Sequence, residues 1–156
     1  MDSIRNRRVS LINGGKMQVT IEIPTLDEIT SNAIVLGVAH PGEPWSRTQL
    51  RDDAKKRGVY VHLSGQRILY IGKTTTGNYG TYGERFRREF QQKASKNSPL
   101  YQLLSRQRKP IRTYLLDLSK LNKMITVYGS KLTNTRKALI MEQTLIGLFE
   151  PLGNRT

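Results

Sequence analysis

Apolar and polar side chains alternate over residues 17–23, and Pro24 follows the last of them. A period of two is typical of a strand with one buried face, and proline lacks the N–H that would continue a ladder. The pattern therefore predicts a strand over residues 17–23. The basic residues before it, 1–16, include an Asn-Gly-Gly sequence, and we expect them to be loose. Apolar positions then recur at a short helical period over residues 26–36.

Four later segments have the capping residues or the periodicity of helices. A serine three residues before a glutamine opens residues 46–57, which is the pattern of a capping box. Ser98 is followed by a proline, which is typical of an N-cap and the first helical position. Apolar side chains recur every three to four residues over 82–93 and over 133–149, so both segments are predicted to be amphipathic helices.

Two apolar segments joined by a Ser-Gly-Gln turn predict a β-hairpin over residues 58–64 and 67–72. Each predicted strand carries a tyrosine, Tyr60 and Tyr70, and in a hairpin these two side chains come close across the pair. Tyrosines on paired strands more often pack than react, so packing stays an alternative interpretation of both.

The order of the predicted elements indicates an α+β fold. A strand over residues 111–118 and a turn with a short strand near 125–128 complete the pattern. We expect a small central antiparallel β-sheet flanked by helices over residues 58–156. Residues 1–57 are interpreted as an N-terminal α/β extension.

The net charge of +14 is concentrated after residue 57. Residues 1–57 hold nine Lys or Arg against seven Asp or Glu, whereas residues 58–156 hold seventeen against five. A field of this size favours a polyanionic partner, and phosphate backbone is the commonest one. A ribosome-type binder or a basic domain without such a partner has the same charge, so charge alone does not choose among them.

Several classes of protein are excluded or disfavoured by composition. The chain has no cysteine, which excludes disulfides, thiolate metal sites and a cysteine nucleophile, and its two histidines make a zinc site unlikely. The N-terminus lacks the apolar segment of a signal peptide, and no apolar run has the length of a membrane span. We expect a cytoplasmic protein without a membrane partner.

Glu142 is the first candidate for chemistry because it interrupts the apolar stripe of the helix predicted over 133–149. A carboxylate on a packed face is costly unless a divalent cation or an arginine compensates it. A glutamate at the edge of the stripe that reaches solvent or a lysine is the alternative. In the helix predicted over 82–93, Arg85 is directed toward the sheet, or forms an ordinary ion pair with Glu89 four residues later.

These residues together resemble the GIY-YIG nuclease family, and the resemblance covers residues 58–156. The first element is Gly58-Val59-Tyr60, with valine for isoleucine, and the second is Tyr70-Ile71-Gly72. The positions that match further family residues are Lys73, Arg85, Glu142 and Asn154. Two features depart from the family pattern. Glu89 stands where the family usually has tyrosine or histidine, and Arg85 follows Lys73 by twelve residues, several more than in compact members.

The resemblance implies hydrolysis of a phosphodiester bond to a 5′-phosphate and a 3′-hydroxyl. Glu142 would hold one Mg²⁺ or Mn²⁺, and Arg85 would bind a phosphoryl oxygen. Tyr60 would orient or deprotonate the attacking water, although only about one free tyrosine in a thousand is ionised at pH 7. Lys73 either supplies positive charge or is itself the base, and Tyr70 positions Tyr60 or the water. Asn154 would support the site through hydrogen bonds.

The expected partner is double-stranded DNA. Candidate contact residues are Tyr79, Tyr82, Arg87, Arg88, Arg106, Arg108 and Lys109, each of which also fits a solvated surface. Cutting both strands requires a homodimer or two sequential nicks, and the resemblance implies that the extension over residues 1–57 contacts DNA or forms a dimer. The leading hypothesis is a type II restriction or phage-defence endonuclease. The alternatives are a structure-specific repair or recombination nuclease and a catalytically silent nucleic-acid-binding module, which the departure at Glu89 favours.

Overall fold

The computed structural model describes residues 7–13, 17–41, 43, 50–51, 55–74, 89 and 98–155. These residues form an α+β fold with two antiparallel sheets and four helices, which confirms the α+β class. The elements are β1 (Arg7–Asn13), β2 (Met17–Ile23), α1 (Leu26–Asn32), β3 (Ile34–Ala39), β4 (Gly58–Ser64), β5 (Arg67–Thr74), α2 (Pro99–Ser105), β6 (Ile111–Asp117), α3 (Leu118–Met124), β7 (Ile125–Tyr128) and α4 (Asn134–Phe149), followed by a short 3₁₀-helix (Leu152–Asn154).

The smaller sheet has three strands in the order β1-β2-β7. Residues 17–23 form β2 with alternating burial, as their sequence pattern predicts. The expectation that residues 1–16 are loose is wrong for β1, which pairs with β2 from Arg7 opposite Ile23 to Asn13 opposite Met17. The backbone of β2 supplies the hydrogen-bond partners for this strand, so β1 does not depend on a periodic apolar pattern of its own.

The larger sheet has four strands in the order β3-β6-β4-β5, and it contains the predicted hairpin. β4 is buried along its whole length, and β5 forms an edge of the sheet. Gly65 has a φ of 62° in the turn between them, a conformation that glycine adopts without steric cost. A β-bulge at Leu69 shifts the ladder, because His62 pairs with Tyr70 whereas Leu63 pairs with Ile68.

Two helical predictions in the N-terminal part need correction. The helical period over 26–36 extends too far, since α1 ends at Asn32 and Leu36 is buried in β3. Within the predicted helix over 46–57, Leu50 instead forms an isolated β-bridge with Gly37. In both places pairing with a distant strand satisfies the backbone groups and overrides the local preference for a helix.

Both sheets combine strands from before and after residue 57. β2 pairs with β7, and β3 pairs with β6. The boundary that the sequence indicates between residues 57 and 58 therefore does not separate one sheet from the other. Among the described residues, no helix combines the length and the apolar character that crossing a membrane requires.

The four-stranded sheet separates two apolar clusters. On one side, here called the α4 face, Val59, Val61 and Ile71 pack in a cluster with residues of α4 and β2. The opposite side, here called the tyrosine face, carries Tyr60, which packs in a second cluster with Leu115 on the neighbouring strand β6. Successive strand residues point to opposite sides, so the register assigns each polar residue of the hairpin to one face.

The helix α4 covers the α4 face and carries Glu142. Thr133 caps its N-terminus, where the side chain accepts a hydrogen bond from the Arg136 N–H. The buried residues of α4 recur at helical spacing and are Ala138, Met141 and Leu145. Glu142 follows Met141 at the border of this stripe and is partly buried.

Candidate functional site

Tyr60 lies at the centre of the tyrosine face, where its side chain is 1% exposed. In the ladder it pairs with Leu115 on one side and Gly72 on the other. A Cβ atom at Gly72 would overlap the Tyr60 ring and its hydroxyl group. The glycine of the Tyr70-Ile71-Gly72 motif therefore leaves the space that the tyrosine of the Gly58-Val59-Tyr60 motif occupies.

Glu89 holds the hydroxyl group of Tyr60. The Tyr60 Oη–H donates a hydrogen bond to Glu89 Oε1, and the carboxylate is only 9% exposed. Glu89, which is helical, lies at the position where the family pattern usually has tyrosine or histidine. The departure from that pattern thus places a carboxylate directly on the tyrosine.

His62 continues the hydrogen bonds from Glu89 into the sheet. Its Nε2 lies 2.8 Å from Glu89 Oε2, and its Nδ1 lies 2.8 Å from Thr113 Oγ1 on β6. The imidazole is fully buried, and Thr113 is 2% exposed. We call these four side chains, Tyr60, Glu89, His62 and Thr113, the Glu89 network. An ionised carboxylate only accepts hydrogen bonds, so His62 Nε2 is the donor in its bond to Glu89 when that group is ionised.

The sequence contains one signal for His62 that motif matching passes over. His62 lies two residues after Tyr60 in a strand, and that spacing alone puts both side chains on the same face. Thr113 has no comparable signal, because only the register between β4 and β6 brings it opposite His62.

Tyr70 borders the network on the open side of the sheet. It pairs with His62 across the hairpin and therefore lies diagonal to Tyr60. Its ring centroid is 5.8 Å from that of His62 with the planes 28° apart, and 6.1 Å from that of Tyr60. The hairpin thus brings the two motif tyrosines and the histidine together on one face of the sheet.

Asn154 is joined to the backbone of the Tyr70-Ile71-Gly72 segment by two hydrogen bonds. The Ile71 N–H donates to Asn154 Oδ1, and Asn154 Nδ2 donates to the Ile71 carbonyl, both at 2.8 Å. The Asn154 amide therefore pairs with edge strand β5 as another strand residue would. A Cβ at Gly153 would lie 2.6 Å from the Leu69 carbonyl oxygen, so the absence of a side chain permits this close approach.

Lys73 occupies the opposite face of the hairpin from the two tyrosines. It pairs with Val59, whose side chain is buried in the cluster on the α4 face. The register therefore places the Lys73 side chain on the opposite face from Tyr60 and Tyr70, although Lys73 directly follows the Tyr70-Ile71-Gly72 motif in the sequence.

Glu142 is the predicted metal ligand, and it lies on the helix that packs against the α4 face. Its Oε2 is buried, and Gln143 Nε2 donates to its Oε1 at 3.3 Å. Within the ranges that the structure describes, no group of three His, Cys, Asp or Glu side chains is arranged to hold a metal ion. A single carboxylate is compatible with Mg²⁺, because this ion usually keeps several of its water ligands.

Five of the predicted site residues lie outside the described residues, and these are Tyr79, Tyr82, Arg85, Arg87 and Arg88. The three other candidates for DNA contact, Arg106, Arg108 and Lys109, are exposed in the connection between α2 and β6. This connection lies against the hairpin turn, because Ser64 Oγ donates to the Lys109 carbonyl at 3.2 Å. Exposed cations next to the turn leave this end of the sheet accessible to a polyanion.

Comparison of the chain with protein-family models, with curated proteins and with solved structures gives no match. The resemblance to the GIY-YIG family therefore rests on the motif residues.

We expect Asn154→Ala to lower the free energy of unfolding by about 2 kcal/mol, since two hydrogen bonds to the Ile71 backbone are lost. The measurement is urea denaturation followed by circular dichroism. Asn122→Ala is the matched control, because it removes only an exposed hydrogen bond from Lys137 and should change stability by less than about 0.5 kcal/mol. Equal effects of the two substitutions would contradict the supporting role of Asn154.

We expect Gly72→Ala to destabilise the protein by about 1–3 kcal/mol, because the added methyl group overlaps the Tyr60 ring and forces a rearrangement. Gly147→Ala is the control, since no atom lies within 4 Å of its new Cβ and alanine favours a helix by up to about 1 kcal/mol. Thermal unfolding should therefore move in opposite directions for the two variants. A stabilised Gly72→Ala protein would show that Tyr60 is not packed against this glycine.

Proposed function

We propose that this protein is a metal-dependent DNA endonuclease that hydrolyses phosphodiester bonds to 5′-phosphate and 3′-hydroxyl ends. The observation that carries the proposal is the hydrogen bond from the Tyr60 hydroxyl to the buried carboxylate of Glu89. It gives the tyrosine of the first motif a proton acceptor within the fold. The motif order, from Gly58 to Asn154, supplies the reaction class.

A tyrosine that only fills space does not require this arrangement. Burying a carboxylate costs several kcal/mol unless hydrogen bonds compensate it, and here both oxygens of Glu89 are bonded. Thr113 likewise forms a hydrogen bond with the buried His62 instead of packing as an apolar side chain would. A buried polar network whose members are all hydrogen-bonded fixes their positions, and such fixed positions suit a chemical role.

The charge of the chain supports DNA as the substrate. Residues 58–156 carry seventeen Lys or Arg against five Asp or Glu, and two of those five, Glu89 and Glu142, belong to the proposed site. Cationic side chains neutralise backbone phosphates and release their counterions, which contributes affinity without sequence preference. We assign Arg106, Arg108 and Lys109 to such contacts.

Glu142 is the residue that would hold Mg²⁺ or Mn²⁺ in the proposed enzyme, and its helix packs against the face of the sheet opposite the Tyr60 ring. A bound divalent ion neutralises charge that develops on the phosphoryl and leaving oxygens. The chain's own groups then have separate tasks. Tyr60 takes the proton of the attacking water, Arg85 binds a phosphoryl oxygen, and Asn154 keeps the Tyr70-Ile71-Gly72 backbone in place. The leaving 3′ oxygen receives its proton from solvent.

A restriction or phage-defence role is the form of this activity that we propose. A catalytically silent binding module was the alternative that the residue at position 89 favoured. The hydrogen bond from Tyr60 to Glu89 supports the enzymatic alternative, because it gives the residue at this position a contact with the motif tyrosine.

We expect the purified protein to nick or linearise supercoiled plasmid DNA in the presence of Mg²⁺, and EDTA to abolish cleavage. Glu142→Ala should reduce the cleavage rate by at least about 100-fold, because the proposed ligand of the ion is lost. Thr135→Ala, which changes an exposed residue near the start of the same helix, is the control and should cleave like the parent.

The pattern of products separates the variants of this function. Discrete fragments indicate sequence recognition and a restriction enzyme, whereas preferential cutting of branched or flapped DNA indicates a repair nuclease. Binding of plasmid without cleavage in Mg²⁺ or Mn²⁺ would contradict the enzymatic assignment. Undiminished cleavage by Glu142→Ala would contradict the proposed metal site.

A further inference from the structure

We infer that the buried pair Glu89–His62 is the proton acceptor behind Tyr60, so that Tyr60 passes a proton on instead of acting as a preformed phenolate. The inference rests on the proposed function and deepens it, because it identifies where the proton of the attacking water goes. Glu89 and His62 act through Tyr60 and are positioning residues, and Tyr60, which is 1% exposed, has to be uncovered before the water reaches its hydroxyl group.

The geometry orders the groups along one path. Tyr60 Oη donates to Glu89 Oε1, the other carboxylate oxygen is 2.8 Å from His62 Nε2, and the far side of the imidazole meets Thr113. No water is required to connect these groups. All four side chains are 9% exposed or less, so solvent does not compete for these hydrogen bonds unless the Tyr60 hydroxyl group is uncovered for the attacking water.

This path removes a difficulty in using tyrosine as a base. Only about one free tyrosine in a thousand is ionised at neutral pH. A tyrosine that receives a proton while it gives one away never needs to be ionised before substrate binds. The carboxylate that accepts its hydrogen bond is the group that takes the proton.

The proposed step balances as follows. An O–H bond of the attacking water breaks and its proton bonds to Tyr60 Oη, while the Oη–H bond breaks and that proton bonds to Glu89 Oε1. The resulting hydroxide forms the new P–O bond, the P–O3′ bond breaks, and the 3′ oxygen takes a proton from solvent. After the product leaves, the proton returns from Glu89 through Tyr60 to water, and the starting state is restored.

His62 and Thr113 allow the carboxylate to change its charge without losing its partners. Thr113 Oγ1 can donate to a bare His62 Nδ1 or accept from a protonated one. The imidazole can therefore stay hydrogen-bonded as neutral histidine or as histidinium while Nε2 keeps donating to Glu89. We assign His62 the task of holding Oε2, which leaves Oε1 directed at Tyr60.

Glu89→Gln is the decisive variant because it preserves the shape of the network. The glutamine oxygen still accepts from Tyr60, and its amide nitrogen donates to His62 Nε2 if the imidazole carries its proton on Nδ1, toward Thr113. The variant should therefore fold, but an amide does not accept a proton at neutral pH. We expect its single-turnover rate on supercoiled plasmid in Mg²⁺ to fall by about 100-fold, the contribution typical of one general-base group. Plasmid binding, measured in Ca²⁺, should stay within about twofold because no phosphate contact changes.

Glu89→Asp provides the matched rescue, since it restores a carboxylate on a shorter side chain. It should cleave at least about ten times faster than Glu89→Gln, although more slowly than the parent. A merely structural role predicts the reverse order, because aspartate fits the space less well than glutamine. Cleavage by Glu89→Gln within about threefold of the parent, or a Glu89→Asp variant no faster than Glu89→Gln, overturns the inference while leaving the nuclease assignment intact.

An imidazole ¹H–¹⁵N spectrum tests the network without any cleavage. In the parent, we expect a proton on His62 Nε2, and in Glu89→Gln we expect the proton to move to Nδ1. A parent protein with a bare Nε2 overturns the inference whether or not the protein cuts DNA. A parent that shows the expected spectrum but neither binds nor cuts plasmid contradicts the proposed function instead, so the two failures are distinguishable.

Discussion

The burial of one carboxylate, Glu89, is the constraint on which the candidate site depends. A carboxylate that is 9% exposed needs a hydrogen-bond donor for each oxygen, and the central strand β4 supplies both through Tyr60 and His62. Those two donors share a face only because they are two residues apart in a regular strand. The regularity of β4 between its two neighbours is therefore what permits the carboxylate to be buried.

The last residues of the chain protect the edge of this arrangement. Strand β5 would otherwise present an unpaired backbone beside Tyr70, and such an edge readily pairs with another chain. Asn154 occupies both hydrogen-bonding groups of Ile71 from a segment 83 residues away. The resemblance to the nuclease family implied a supporting role for Asn154. Its two hydrogen bonds to the motif backbone are the contacts through which it would provide that support.

Local patterns predicted the elements that depend on local forces. The alternation in β2, the glycine turn of the hairpin and the spacing in α4 were all visible in the sequence. β1 and the strand conformation of Leu36 were not, because their hydrogen-bond partners lie far along the chain. For the same reason, the sequence did not predict that Thr113 bonds to His62 or that Glu89 bonds to Tyr60. The face on which Lys73 lies could have been predicted from the sequence, since Lys73 directly follows Gly72 in the strand and therefore points to the other side of the sheet.

The interleaving of the two sheets has a consequence for how the chain folds during synthesis. Ile21 pairs with Ile125, and Ala39 pairs with Ile111. Neither sheet can therefore be completed until a strand from the last third of the chain has been synthesised. Until β6 emerges from the ribosome, β3 and the β4–β5 hairpin have no strand to join them. Such non-local pairing slows folding and leaves strand edges exposed in the meantime. The nascent protein is thus most vulnerable to aggregation just before its inner strand β6 becomes available.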